Sequence, residues 1–161
     1  MALISEKMNK ALNDQVKEEL MSAHIYLSMS IWLKENTYNN LSNWFFGQYN
    51  EELQHVYKFI NYIIEVGGTA EIPALEKPKS DWKNVEEIVK TAYEHEQYIT
   101  KKIHDLVTLA AELKEYSPRP LLQWFVEEQI EEEASSSELV IRQAAFKNDM
   151  LFDQHTRRVE E

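Results

Sequence analysis

The chain contains no cysteine. Disulfides, thiolate metal sites and cysteine nucleophiles are thereby excluded together, and the composition fits a reducing compartment. Glycine and proline are scarce, with 3 and 4 copies in 161 residues. That suits a chain built from long helices, whose interiors both residues destabilise. No run approaches the roughly 20 apolar residues that a membrane span needs. The opening residues, Met1-Ala2-Leu3-Ile4-Ser5-Glu6-Lys7, lack the apolar stretch and cleavage site of a signal peptide. A soluble, cytoplasmic protein with no membrane partner is the expectation. Positive charge is also in short supply: 17 Lys and Arg face 28 Asp and Glu, for a formal charge of −11. Nucleic acid is not an expected partner, because binding phosphates needs concentrated Lys and Arg. Acidity by itself does not establish cation binding, so position must decide.

What is present is apolar content of 43% and charged content of 28%, ordinary globular values. The length suits one domain, 1–161, able to bury a full core. The prolines fall in two places, Pro73 with Pro78 and Pro118 with Pro120, and Gly67-Gly68 stands where a helix would end. These breakers leave four long helical segments, about 5–35, 41–66, 84–115 and 118–145, and a short one near 147–157. Asn84 with Glu87 can start the third, and Ser117-Pro118 the fourth. The first two segments are joined by a short link and should be antiparallel neighbours. The link from Gly67 to Lys83 is 17 residues long. Extended, it reaches about 55 Å, against about 45 Å for a 30-residue helix. It can therefore run the length of a bundle and make the third helix parallel to the second; a floppy loop is the alternative. The fold class is an all-α, antiparallel four-helix bundle over about 5–145, with one long crossover and a short fifth helix.

Each long segment carries an apolar seam at alternating spacings of three and four, the pattern of bundle-facing positions. The first reads Leu12, Val16, Glu19, Ala23, Tyr26, Ser30, Leu33, and the second Leu41, Phe45, Gln48, Glu52, His55, Phe59, Tyr62, Val66. The third reads Val85, Val89, Ala92, Glu96, Ile99, Ile103, Leu106, Ala110, Leu113, and the fourth Leu122, Phe125, Gln129, Glu132, Ser136, Leu139. Every seam contains a glutamate within the body of its helix, and none contains a lysine. A lone seam Glu ordinarily reaches solvent at the edge of a bundle. Four at similar depth are harder to explain that way, since burying an ionised carboxylate costs several kcal/mol and four would repel one another. Protons or cations must compensate, and bound metal is the economical choice. Glu52-Leu53-Gln54-His55 is the most specific piece. Its spacing of three puts Glu52 and His55 on one face, as in the E-x-x-H motif of di-iron bundles. Oxygen ligands with a single imidazole suit iron better than structural zinc. Glu52, if shared, would bridge two ions at about 3.5–4 Å.

With these residues in place, the sequence resembles bacterial non-haem ferritins over essentially its whole length. The resemblance runs through Leu12-Asn13-Asp14-Gln15 to Glu19-Leu20, then Glu51-Glu52-Leu53-Gln54-His55, Glu96-Gln97 with Ile99-Thr100, Leu122 to Gln129, and Glu131-Glu132-Glu133. It implies a ferroxidase centre. One iron would lie between Glu19, Glu52 and His55, and the second between Glu52, Glu96 and Glu132, with Gln129 as weak ligand or hydrogen-bonding neighbour. Glu51, Glu128 and Glu131 match a third iron site of the bacterial branch, although on spacing alone a solvated acidic face is nearly as good a reading. Tyr26 matches a tyrosine that can supply an electron; a core tyrosine is the plainer alternative. Trp124 reads as packing or as a neighbour of the ligands. Bacterioferritins carry a second E-x-x-H and a haem-ligating Met after the first Glu, whereas this chain has Gln129-Ile130-Glu131-Glu132 and Leu53, so no haem is expected. Rubrerythrins add a cysteine-ligated module that a cysteine-free chain cannot form.

The resemblance implies Fe(II) oxidation by O2 or H2O2 and storage of a ferric oxyhydroxide mineral. It also implies a homo-oligomer of 24 subunits, with the short helix near Phe146 to Arg157 at a four-fold axis. Trp32, Trp44 and Trp82, read as outward-facing, fit such interfaces. Two other readings stand beside this one. A di-iron oxidase or peroxidase acting on an organic substrate or on peroxide would share the architecture. A non-catalytic helical interaction protein would leave the seam acids in water. A DNA-protecting mini-ferritin fits the acidity poorly.

Overall fold

The computed structural model describes residues 2–157. Met1 and 158–161, the two ends of the expected 1–161 domain, lie outside the described residues. Four long helices, α1 (Glu6–Glu35), α2 (Asn39–Glu65), α3 (Val85–Glu112) and α4 (Arg119–Ala145), are followed by a short α5 (Asp149–Gln154). Their starts are written locally. Ser5 caps α1 by accepting a bond from the Met8 amide at 3.2 Å. Asn84 Oδ1 accepts from the Glu87 amide at 2.8 Å, and the Glu87 carboxylate reaches back past the cap to accept from the Lys83 amide at 2.7 Å. Helix α2 begins two residues earlier than the sequence suggests and has no side-chain cap on its own N-cap residue, Tyr38. Asp153 of α5 supplies the missing acceptor: its Oδ1 takes the Leu41 amide at 2.8 Å, and Asn40 Nδ2 donates to the Asp153 carbonyl at 3.0 Å.

Helix directions follow from how the core divides. One cluster joins Met8, Leu12 and Val16 of α1 to Phe59 and Ile63 of α2, Ile103 and Leu106 of α3, and Leu122 and Phe125 of α4. The other joins Met29 and Leu33 to Leu41 and Phe45, Val85 and Val89, and Leu139. Early α1 thus meets late α2 and late α3, which makes α1 antiparallel to both and α2 parallel to α3, while α4 runs against α3. The crossover therefore travels the length of the bundle as expected. It is pinned to α1 at both ends. Asn9 and Asn13 hold Thr69 and Glu71 through bonds of 2.8–3.2 Å, and Ser28 Oγ donates to the Lys79 carbonyl. Gly67, at φ 78°, ends α2, and a side chain on Gly68 would collide with Asn9 Oδ1.

One expectation is overturned. Trp44 and Trp82 do not face outward; both are buried in the second core cluster with Phe45 and Phe152, and only Trp32 remains partly accessible. Trp44 lies beside its seam, and its face is covered by elements that no single-helix pattern reveals. Trp82 belongs to the crossover, which has no periodicity to read.

Candidate metal centre

Between the two apolar clusters the four seams place Glu19, Glu52, Glu96 and Glu132, none more than 5% exposed. These are the residues that the seam pattern singles out, and the structure brings them to one level. His55, one turn after Glu52, projects into the same space and is 4% exposed. Its Nδ1 lies 3.1 Å from Glu52 Oε2 and 3.8 Å from Glu19 Oε2, while its Nε2 lies 3.4 Å from Glu128 Oε1. Two sets of side chains have donor atoms close enough to share one ion: Glu19, Glu52 and His55, and then His55, Glu128 and Glu132.

The other members are held by hydrogen bonds. Tyr26 donates its hydroxyl to Glu96 Oε1, and Gln129 Nε2 donates to Glu96 Oε2 at 3.1 Å and to the Thr100 hydroxyl at 3.3 Å. Glu96 and Gln129 thus sit together, although Glu96 is in neither of the close sets. Glu132 Oε2 accepts from Gln48 Nε2 at 2.7 Å. Glu51 and Glu128 are half-buried, whereas Glu131 is exposed and belongs to neither set among the described residues. Trp124 packs edge-on against His55 with centroids 5.7 Å apart.

Three participants went unassigned in the sequence. Gln15 is 3% exposed and donates to Glu19 Oε1 at 2.8 Å. Gln48 was on its seam but had no role. Gln15 precedes Glu19 by four residues, the spacing at which a helical Gln can reach a carboxylate, whereas Gln48 reaches across the bundle to Glu132. His95 was also missed. Its Nε2 lies 2.7 Å from Ser22 Oγ, which itself donates to the Glu18 carbonyl. No pattern identified it, since it sits off the seam.

The electrostatics show that such a cluster must hold protons or a cation. Burial, reinforced by Glu19 and Glu96, raises the Glu52 pKa well above the ordinary carboxylate range against the opposing His55 hydrogen bond. Burial likewise pushes Glu96 up to about 7 despite bonds from Tyr26 and Gln129, with Glu19 adding to the rise. Glu132 is pushed up to about 8 by burial and by the charges of Glu96 and Glu51. Burial would lower the His55 pKa, but Glu128, Glu19 and Glu52 overcome it and hold the imidazole strongly toward its protonated form. Among the described residues His55 is the only basic side chain in ion-pair distance of these four glutamates. One atom is left over: Glu19 Oε2 is buried with no hydrogen-bond partner. An orphaned carboxylate oxygen, aimed at Glu52 and His55, is the donor a metal ion would satisfy. The donor set is mostly carboxylate oxygen with one imidazole, chemistry suited to iron.

Comparison with known proteins gives the same direction. The Ferritin family model, described as a ferritin-like domain, matches residues 9–143. The chain belongs to the ferritin family. It is 40% identical over 138 residues to a probable bacterial non-heme ferritin-like protein of Haemophilus influenzae, covering 86% of this chain and 84% of the relative. To a bacterial non-heme ferritin of Campylobacter jejuni it is 38% identical over 132 residues, covering 82% and 79%. The crystal structure of an open pore ferritin from Archaeoglobus fulgidus superposes with a TM-score of 0.94 at 37% identity, covering 99% of this chain and all of that one. The ferritin bundle is thus the fold of this chain, with its long crossover and short fifth helix.

Proposed function

We propose that this ferritin stores iron and oxidises it at a di-iron centre inside each bundle. The observation that carries the reading is the buried Glu19 Oε2, unpartnered beside Glu52 and His55. Fe(II) is the substrate. One ion binds between Glu19, Glu52 and His55, and a second between Glu52, Glu96 and Glu132, with Gln129 alongside. Each Fe(II) gives up one electron. One O2 takes both electrons with two protons and leaves as H2O2, or one H2O2 takes them with two protons and becomes water. Carboxylates that surrender their protons on binding favour the more highly charged Fe(III) product. Glu51, Glu128 and Glu131 hold a third ion beside the pair, a role that the 3.4 Å approach of Glu128 to His55 supports. With few imidazoles the centre releases its product, which hydrolyses to ferric oxyhydroxide. The mineral is kept in a homo-oligomeric shell of 24 copies in the cytoplasm. Leu53, where bacterioferritins place a haem-ligating Met, supports a haem-free protein.

The test is aerobic addition of Fe(II) to purified protein, followed by sizing and an iron count per particle. Glu52→Ala is expected to reduce oxidation to the rate seen without protein while the oligomer stays intact. Oxidation at the unaltered rate by that variant overturns the assigned centre.

A further inference from the structure

We propose that Tyr26, His95 and Tyr98 form a one-electron path from the buried carboxylates to the protein surface. This rests on the ferroxidase reading and extends it. Tyr26 is 1% exposed and its hydroxyl donates to Glu96, so its ring lies against the centre and its proton has an acceptor. The His95 ring stands edge-on to it with centroids 6.2 Å apart, and the Tyr98 ring lies 6.1 Å beyond His95. Tyr98 is 43% exposed, and its hydroxyl donates to Glu18 Oε1 at 3.0 Å. Two phenols, one dry and one wet, are thus each bonded to a carboxylate, with an aromatic ring filling the gap. Electron tunnelling falls steeply with distance, and two aromatic contacts divide the span into short stretches. The Ser22 hydroxyl fixes the imidazole from α1 at 2.7 Å.

Charge favours this route over one through Trp124. Trp124 also touches the site, through His55, but Lys58 Nζ lies 3.9 Å over its ring and opposes loss of an electron. Lys102 Nζ lies farther from the Tyr98 ring, at 5.2 Å, and is partly neutralised by Glu18 at 3.6 Å. The ferric ion left at the centre repels the positive charge that oxidation leaves at Tyr26 and Glu96, and the repulsion weakens toward the solvated end.

The step balances. Reduction of O2 to H2O2 takes two electrons, so a centre holding a single Fe(II) falls one short. Tyr26, the position at which the family resemblance already implies an electron-supplying tyrosine, gives that electron and passes its phenolic proton to Glu96. Tyr98 then reduces the Tyr26 radical across His95; Tyr26 recovers its proton from Glu96, and Tyr98 gives its own to Glu18. The radical now sits at the surface, where a one-electron donor in solution restores Tyr98 and Glu18 returns the proton. His95 is not oxidised; it couples the two rings.

The test uses the assembled protein with one Fe(II) per subunit, mixed with O2, frozen at intervals and read by electron paramagnetic resonance with and without ascorbate. Ferric absorbance is followed in the same samples. The unaltered protein is expected to give a tyrosyl radical that ascorbate quenches rapidly. In Tyr98→Phe, which keeps the ring and removes only an exposed hydroxyl, the radical should remain on Tyr26 and be quenched severalfold more slowly. His95→Leu should do the same, and Tyr26→Phe should give no radical. Iron oxidation with equal quenching in the unaltered and Tyr98→Phe proteins overturns the path alone. No iron oxidation in the unaltered protein overturns the path together with the ferroxidase reading.

Discussion

At its two ends the bundle interior is apolar, while at its middle the same four helices bring carboxylates together. In one end Phe59 stacks on Phe125 with centroids 4.2 Å apart, and Leu12, Val16, Ile63 and Ile103 close around them. In the other, Leu33, Leu41, Val85 and Ile88 are fully or almost fully buried. There each side chain gains by leaving water, at roughly 25 cal/mol per Å2 of apolar surface. In the middle the sign reverses. Glu52, Glu96 and Glu132 all have raised pKa values because the fold removes their solvent. The apolar ends hold the helices together, and that lets the middle be kept in a state it would not choose. Departures from packing rules of this kind are expected where function is located.

The largest effect that would sharpen this contrast comes from the apolar end. Phe59→Ala should cost about 3–5 kcal/mol of stability, measured by denaturant unfolding of metal-free protein, yet leave Fe(II) oxidation per folded subunit near its original rate. A proportionate loss of both would show that the two regions are not separable.

A pH series gives the next effect. Because Glu96 and Glu132 are raised to about 7 and about 8, the folded chain holds protons that the unfolded chain has already released. Their contribution to stability is present below the ordinary carboxylate range and is lost as pH rises through those two values. The thermal midpoint of chelator-treated protein should therefore fall between about pH 5 and 8, by an amount equivalent to a few kcal/mol. Anaerobic Fe(II) should counter the fall, since it binds the deprotonated ligands. A flat profile for the metal-free protein would break the comparison.

The smallest expected effect is a gain. Replacing Gln48 and Glu132 together by leucine removes both ends of a buried polar pair. It should raise metal-free stability by about 1–4 kcal/mol while impairing iron oxidation. Loss of stability would mean that the middle is already as well packed as the ends.

Much of this contrast could be read from the residues in order. The seam positions of Glu19, Glu52, Glu96 and Glu132 follow from spacings of three and four, because a helical register fixes which side chains share a face. The crossover length fixed the parallel pair, since only a long link could return the chain to the far end. Gln15, Gln48 and His95 were harder. Whether a glutamine on or beside a seam is buried against a carboxylate or meets water depends on the packing of the neighbouring helices, and a single-helix pattern does not carry that. Trp44 and Trp82 failed for the same reason, since the cluster that buries them draws on residues distant in sequence. Spacing alone leaves Glu128 nearly as well read as a solvated acid as a site residue, and the observed 3.4 Å to His55 puts it beside the centre.

Asp153 gives the bundle an order of events. The first turn of α2 draws an acceptor from a carboxylate more than a hundred positions downstream, so its Leu41 amide is satisfied only once α5 has docked. A chain cut short before Asp153 leaves the Leu41 amide without this acceptor.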